Sequence, residues 1–206
     1  MASAVIHLCV ANEINKKIKK DSSKILIGSI APDIAKYINE HKMKSHFQDE
    51  NNDTPNLKLF LNKYSNYLND DFVLGYYIHL YTDYLWFKFF MPKYVDNSYI
   101  YTFDNEKIKI TEEEKTNYLY KDYSNLNIKL IEDYNLTLDI FYNDIPSIDN
   151  IIEEIPMDKL NIIVDEMGKI IKNSKIDKTN IIGVREVSVF IDFAVLIIYN
   201  EVKLWL

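Results

Sequence analysis

The run from Phe72 to Met91 constrains the fold of this chain more than any other stretch, because apolar residues fill almost all of it. Asp70 and Asp71 stand immediately before the run, and acidic residues are favoured at the start of a helix. A helix that is apolar almost all round packs at the centre of a protein rather than on its surface. The sequence therefore predicts a central helix over residues 72–91.

His79 and Asp83 are two of the four polar residues that interrupt this run. Residues four apart on a helix lie on the same face, one turn apart. An imidazole nitrogen and a carboxylate oxygen held in this way are two of the ligands that zinc accepts. An unpaired carboxylate beside Leu85 and Trp86 would be costly to bury, so Asp83 needs a partner. The pair predicts half of a metal site.

The composition favours a helical protein. The chain has 206 residues, of which 48% are hydrophobic, and only four glycines and five prolines. This length fits one domain over residues 1–206, and few helix breakers favour an all-α fold. We therefore expect a single-domain helical bundle around a metal site. Residues 98–110 alternate in polarity, which predicts a small β-hairpin with Asp104 and Asn105 at its turn.

Further helices are predicted along the chain. Thr54-Pro55 has the form of a helix start, with Thr as the cap and Pro at the first position. Thr111 and Glu114 have the spacing of a capping box. The predicted helical segments are residues 3–20, 24–31, 54–69, 111–135, 156–172 and 179–205.

Charge and cysteine content exclude some classes of function. The formal net charge is −7, which argues against binding of duplex nucleic acid through a broad basic surface. Cys9 is the single cysteine, so an internal disulfide is excluded. The apolar stretch 187–206 is interrupted by Asp192, Glu201 and Lys203, which argues against a transmembrane segment. With no visible signal peptide, a cytoplasmic protein is expected.

Three more residues upstream are candidate metal ligands. Asp33 follows Pro32 at the end of an apolar segment, His46 precedes Phe47, and His7 lies on the inner face of the first predicted helix. Taken singly, a histidine on an apolar face is more often a hydrogen-bonded residue of the core than a metal ligand. Together with the pair on the central helix, they form a mixed nitrogen and oxygen set that suits zinc better than iron or manganese.

The order of these motifs resembles a known superfamily. His7-Leu8, the run from Gly28 to Asp33, the triplet Ser45-His46-Phe47 and the run from Gly75 to Asp83 follow one another as in the zinc-dependent phospholipase C and single-strand nuclease superfamily. The chain is most similar to the short bacterial zinc-dependent phospholipase C family proteins. The resemblance covers about residues 1–90, and the second half matches only through Tyr120 to Tyr123.

The resemblance implies an all-α fold and a set of metal ligands. Asp33, His46, His79 and Asp83 would hold a first zinc ion. His7 and the same Asp83 would hold a second one, together with the backbone of the residue at the amino terminus. That residue would be Ala2 if Met1 is removed, and this assignment is a hypothesis.

The implied activity is hydrolysis of a phosphoester or phosphodiester, with a metal-bound water as the nucleophile. Asp33 and Asp83 are the candidate catalytic carboxylates. The substrate would be a phospholipid headgroup ester or a small soluble phosphoester.

The chain also departs from the superfamily, whose enzymes carry a third zinc bound by two further histidines and a carboxylate. No histidine follows His79. Asp122 or Asp192 could substitute at a third site, or the centre holds one or two ions. Asp122 could otherwise support a metal-bound histidine or be a solvated acid. Arg185, the only arginine, could grip a phosphate, although an ion pair with a neighbouring acid is the simpler interpretation.

Two functions therefore stay open at the level of sequence. The first is a zinc-dependent phosphoric ester hydrolase. The second is a catalytically silent relative, in which a structural metal ties the first helix to the central one and the surface binds a partner. Structural zinc sites are closed by protein ligands, whereas catalytic sites keep a position for water, so access to the site distinguishes the two.

Overall fold

The computed structural model describes residues 1–50, 52–96, 98–102 and 106–205. It is 64% helical with one small three-stranded sheet, which confirms the predicted all-α class. The α-helices are α1 (Ala4–Ile18), α2 (Ser22–Gly28), α3 (Lys42–Ser45), α4 (Leu57–Tyr64), α5 (Asp71–Leu85), α6 (Glu112–Asp133), α7 (Leu160–Lys172) and α8 (Val184–Val202). A 3-10 helix over Ala31–Tyr37 links α2 to α3.

Side-chain caps set several of the helix starts that the sequence predicts. The Ser3 side chain accepts a hydrogen bond from the Ile6 N–H at the start of α1, and Asp70 accepts one from Val73 at the start of α5. Thr111 and Glu114 form both bonds of the predicted capping box before α6. These bonds satisfy backbone N–H groups that have no partner within the helix.

Several predicted helix bounds differ from the structure, and hydrogen bonds explain two of these differences. The N-cap of α4 is Asn56, whose side chain accepts from the Leu59 N–H, and not Thr54. Pro55 lies instead in an isolated β-bridge with Gln48. The last helix covers Val184–Val202 rather than 179–205, because the backbone of residues 180–182 is held in a loop by Asp122.

The central helix α5 packs most closely against α2. Gly28 and Gly75 meet at this contact, where a Cβ built on Gly28 would lie 2.3 Å from the Phe72 carbonyl oxygen. A Cβ on Gly75 would lie 2.2 Å from the Ile25 carbonyl oxygen. Only glycine fits at such an approach of two backbones. The contact brings the turn after α2 directly against the face of α5 that carries His79.

The predicted extent of the central helix, 72–91, is close to what the structure shows, but its last part changes form. After Leu85 the chain makes a π-helical turn over Trp86–Phe90 and then a 3-10 turn over Met91–Lys93. A π-turn changes the direction of the side chains that follow it, and such turns are frequent at functional sites. Here the π-turn directs the aromatic side chains of residues 86–90 toward two different cavities.

The small sheet confirms the predicted hairpin and adds one strand to it. Strands β1 (Val95–Asp96), β2 (Tyr99–Tyr101) and β3 (Lys107–Lys109) pair antiparallel in the order β1-β2-β3. The predicted turn at Asp104 and Asn105 lies outside the described residues. In the part of the chain that the structure describes, no helix has both the length and the apolar character that crossing a membrane requires.

Candidate metal centre

Five predicted site residues come together where α1, the 3-10 helix and α5 meet. His7 comes from α1, Asp33 from the 3-10 helix, His46 from the end of α3, and His79 and Asp83 from α5. His7, His46, His79 and Asp83 are completely buried, and Asp33 is 7% exposed. Two overlapping groups have ligand atoms within 4.8 Å of one another: His7, His79 and Asp83, and Asp33, His46 and His79.

The backbone of Ser29 orients the imidazole of His79. The Nδ1 atom lies 2.8 Å from the Ser29 carbonyl oxygen. Because a carbonyl can only accept, Nδ1 carries the proton and Nε2 of the neutral ring carries a free lone pair. Burial is the main cause that lowers the pKa of His79 to about 3, so the ring is neutral at physiological pH. Neutral imidazole is the form that binds metal ions.

His46 is held in the same tautomer by different partners. Its Nδ1 lies 2.9 Å from the Ser45 hydroxyl, which in turn donates to the Lys42 carbonyl oxygen at 3.1 Å. Nδ1 is also 3.2 Å from that carbonyl. The proton of the neutral ring therefore lies on Nδ1, and Nε2 is free. Such support from a hydroxyl or a carbonyl is the usual arrangement behind a metal-bound histidine.

The free nitrogens and two carboxylate oxygens converge on one point. His46 Nε2 lies 3.3 Å from His79 Nε2, 3.5 Å from Asp33 Oδ1 and 3.8 Å from Asp83 Oδ2. His79 Nε2 lies 3.7 Å from Asp83 Oδ2. Neither of these two oxygens has a hydrogen-bond partner within the described residues. His46 Nε2 thus faces three further acceptor atoms with no proton between them.

This arrangement fits a metal ion. Ligands of a tetrahedral zinc site lie about 2.0–2.2 Å from the ion, which places the ligand atoms roughly 3.3–3.6 Å apart. The four separations given above, from 3.3 to 3.8 Å, are close to these values. Without a cation, buried lone pairs in such contact repel each other and leave polar atoms unsatisfied. The donor set of two imidazoles and two carboxylates could therefore hold a divalent ion.

A positive charge at this point keeps the carboxylates ionised. Burial opposes ionisation of Asp33, and its pKa lies below the usual value where the neighbouring imidazoles, His46 first, are protonated; a bound cation would act in the same direction. Burial also opposes ionisation of Asp83, yet His7 and the amino terminus hold its pKa well below its usual range. Ionised oxygens are the form that a hard divalent cation binds.

The second oxygen of Asp83 faces away from this point, toward α1. Asp83 Oδ1 lies 3.3 Å from His7 Nε2 and accepts a hydrogen bond from the Ala2 N–H at 2.8 Å. The His7 ring stacks on His79 with centroids 3.7 Å apart, and its nitrogens form no hydrogen bond within the described residues. Asp83 therefore lies between His7 and the Ala2 N–H on one side and His46 and His79 on the other.

A groove of about 1070 Å³ opens beside the centre. Asp33, Met1 and Ala2 line it on the side of the cluster, and Trp86 and Tyr123 contribute aromatic walls. The Tyr123 hydroxyl donates to the Met1 carbonyl oxygen at 2.8 Å. The centre is therefore in contact with a space large enough for a small molecule.

One lysine of this groove differs from the others that the structure describes there. Lys42, Lys115 and Lys169 each form an ion pair with an acidic side chain. Lys36 forms none; it donates to the Tyr120 hydroxyl at 3.3 Å and lies 4.6 Å and 5.4 Å from the ring centroids of Tyr120 and Tyr37. Its ammonium group is thus a cation near Asp33 that no carboxylate neutralises.

Two other predicted acids lie elsewhere. Asp122 is completely buried, and its oxygens accept hydrogen bonds from the N–H groups of Asn180, Ile181 and Ile182. It is neither a solvated acid nor a partner of a histidine. Asp192 is exposed and lies 3.3 Å from the Tyr134 hydroxyl. Neither residue belongs to a group of potential ligands in the described part of the chain, so a third site built on them is not formed.

Arg185 also lies outside the centre. It lines a separate cavity together with Lys93 and Glu186. The simple interpretation from the sequence, an ion pair with Glu186 or Asp192, does not hold among the described residues, since Arg185 forms no ion pair there. A role in gripping a phosphate at the metal centre has no support from this position.

Sequence reasoning missed the groups that orient the histidines. Ser45 precedes His46 directly, so its position could have suggested this role. The Ser29 carbonyl acts through the backbone, and no residue type signals such a contact. Lys36 was missed because its partners, Tyr120 in particular, are remote in sequence.

Comparisons with models of protein families, with curated proteins and with solved structures found no match to this chain.

Proposed function

We propose that this protein is a zinc-dependent hydrolase of phosphoesters. The observation that carries the proposal is the convergence of His46 Nε2, His79 Nε2, Asp33 Oδ1 and Asp83 Oδ2 without a proton between them. Such a set is stable when a divalent cation lies within it. The order of the motifs along the chain, which resembles the zinc-dependent phospholipase C superfamily, supports zinc as that cation.

The ligand assignment follows the residues on the two sides of Asp83. Asp33, His46, His79 and Asp83 would hold a first ion, and His7 with Asp83 and, if Met1 is removed, the backbone at Ala2 a second. When bound, zinc polarises phosphoryl oxygens and lowers the pKa of a water to about 7. The carbonyl of Ser29 and the hydroxyl of Ser45 fix the ring orientations, so the ligands are positioned before any ion binds.

The groove residues support a substrate that combines an anionic group with an apolar part. The Lys36 ammonium can donate hydrogen bonds to an anionic phosphoryl oxygen next to Asp33. Burial opposes its charge, but the contact with Tyr120 raises the pKa of Lys36 overall, so it stays cationic. The partly exposed side chains of Tyr37, Leu119 and Tyr120, which also line the groove, offer a surface for the rest of the substrate. A small soluble phosphoester and a phospholipid headgroup ester both fit this description.

Access to the centre favours an enzyme over a silent relative. A purely structural metal is usually enclosed by protein on every side. Here Asp33 lies on the wall of the groove, so a water or a substrate oxygen can approach the ligands from that side. The absence of any histidine after His79 favours the silent alternative, because the superfamily enzymes use such residues for a third zinc.

Metal analysis combined with an activity assay tests the proposal. We expect the purified protein to contain one or two zinc ions and to hydrolyse bis(p-nitrophenyl) phosphate or p-nitrophenyl phosphate. His79→Ala should lose both metal and activity, whereas His41→Ala should keep both, because His41 is exposed and outside the cluster. Zinc-loaded protein that is inert toward both esters would contradict the enzymatic proposal and favour the silent one.

A further inference from the structure

A second cavity of about 350 Å³ lies between the π-helical turn and the start of α8. Phe90 and Phe190, which are 4% and 3% exposed, lie at its base. Phe89 and Phe193 line it as well and are 48% and 38% exposed. The volume is at the lower end of the range for small-molecule sites, and the largely aromatic lining is typical of them.

Two cations line this cavity, Lys93 and Arg185. Among the described residues, neither side chain forms an ion pair or a hydrogen bond. Arg185 lies in the first turn of α8, where the helix dipole disfavours a positive charge. Glu186 lies on the same wall, so the three charged side chains leave a net charge of +1. A cation in an unfavourable position, without an acidic partner and beside an aromatic cavity, is available to an external anion.

The cavity is separate from the groove of the metal centre. The two share no lining residue. The π-turn divides them, because it directs Trp86 and Phe87 toward the groove and Phe89 and Phe90 toward the second cavity. The stacked rings of Trp86 and Phe90, with centroids 4.3 Å apart, form the partition. A ligand of the second cavity would therefore not compete for the metal ligands.

We propose that this cavity binds a small amphipathic anion, namely a carboxylate on an aryl or acyl body. The apolar body packs against Phe90 and Phe190. The carboxylate lies at Arg185, whose planar guanidinium matches the geometry of a carboxylate with two parallel hydrogen bonds. Lys93, on the 3-10 turn that faces α8 across the cavity, adds a second positive charge. This inference is independent of the proposed hydrolase activity.

Calorimetric titration with octanoate tests the proposal, with 1-octanol as the uncharged analogue. We expect saturable binding of one octanoate per chain and much weaker binding of octanol. Arg185→Gln, whose amide can keep one of the two hydrogen bonds, should weaken octanoate binding about tenfold, the usual loss for one charge-assisted hydrogen bond. The matched control is Lys203→Gln, which removes a cation at the other end of α8 and should leave the affinity unchanged. Circular dichroism verifies that each variant is folded.

The same titration separates this cavity from the metal centre. His79→Ala and chelator-treated wild-type protein should bind octanoate as tightly as untreated protein does. Loss of binding in either sample would place the anion at the metal centre and overturn the proposal. Equal binding by Arg185→Gln, or equal binding of octanol, would also overturn it.

Failure of wild-type protein to bind octanoate would contradict the proposal outright. Sedimentation would then test whether a second copy of the chain covers this cavity, and vesicle flotation would test whether a lipid surface does. A dimer that Phe193→Asp dissociates would assign it to a second copy of the chain. Flotation with phosphatidylglycerol vesicles that the same variant abolishes would assign it to a lipid surface.

Discussion

Asp83 on α5 and Asp122 on α6 are both completely buried, but their surroundings differ. Asp122 Oδ1 accepts from the backbone and side-chain amides of Asn180, at 2.8 Å and 3.1 Å. Asp122 Oδ2 accepts from the N–H groups of Ile181 and Ile182, at 2.7 Å and 3.1 Å. Asp83 Oδ1 accepts one bond, from Ala2, and its Oδ2 accepts none within the described residues.

The difference distinguishes a structural carboxylate from a candidate ligand. Burying a charge is costly unless hydrogen bonds or an opposite charge compensate for it. The loop over residues 180–182 supplies that compensation for Asp122 entirely from the protein. The neighbours of Asp83 Oδ2 are the free nitrogens of His46 and His79, which are acceptors themselves. The region around Asp122 is complete within the protein, whereas the region around Asp83 leaves Oδ2 without a donor and could hold a cation.

Removal of one imidazole ligand should have the largest effect of these changes, and this effect is on zinc affinity. We expect His79→Ala to lower zinc affinity about a thousandfold, or about 4 kcal/mol, which is one quarter of the free energy that a four-ligand zinc site supplies. Competition with a chromogenic chelator measures the affinity. The control His41→Ala should bind zinc as the wild type does. Equal affinity of both variants would show that the cluster does not hold the metal.

Removal of the Asp122 carboxylate should affect the stability of the protein rather than its zinc affinity. Asp122→Ala leaves the buried N–H groups of Ile181 and Ile182 without acceptors, which should lower the free energy of unfolding by about 3 kcal/mol. Urea denaturation measures this loss. The folded variant should keep its zinc affinity. The control Asp192→Ala, at an exposed position, should change stability by no more than about 0.5 kcal/mol. Zinc loss from the folded Asp122→Ala protein would contradict the distinction between a structural Asp122 and a metal-binding Asp83.

Asparagine at the two positions should change the stability of metal-free protein in opposite directions. In Asp83→Asn the amide can donate to a free imidazole nitrogen, so we expect a gain of about 1 kcal/mol. In Asp122→Asn the amide faces N–H donors, so we expect a loss of about 2 kcal/mol. Urea denaturation with a chelator present compares the two. A loss of similar size in both variants would remove the distinction between them.

The smallest effect on zinc affinity is expected for Ser45, which orients a metal ligand but does not bind the metal itself. Ser45→Ala removes the hydroxyl beside His46 Nδ1, but the Lys42 carbonyl remains 3.2 Å away as an acceptor. Zinc affinity should fall about tenfold, the lower end of the range for such supporting groups. The chelator competition assay resolves this difference. An effect as large as that of His79→Ala would mean that Ser45 does more than orient the ring.

The sequence predicts those parts of the fold that depend on local signals. Ser3, Asp70 and Thr111 each cap a helix through residues three positions away, so their patterns could be recognised in the sequence. The start of α8 could not be predicted, because Asp122 holds the loop before it from 58 to 60 positions away. At α4, two competing start signals lie within three residues, and the structure uses Asn56 rather than Thr54.

In the candidate site too, local features could be predicted from the sequence and long-range contacts could not. The His79 and Asp83 pair follows from helix periodicity alone. The proximity of His7, Asp33 and His46 to that pair depends on how α1, α2 and α5 pack, so only the resemblance in motif order predicted it. The Ser29 carbonyl could not be predicted, since it reaches His79 through the close contact of Gly28 with Gly75.

Anomalous diffraction from crystals of the zinc-loaded protein tests the central claim most directly. With data collected on both sides of the zinc absorption edge, we predict an anomalous peak within ligand distance of His46 Nε2, His79 Nε2, Asp33 and Asp83. No peak is predicted at Asp122. A fully loaded crystal with zinc only at other positions, and none among these four residues, would contradict the account.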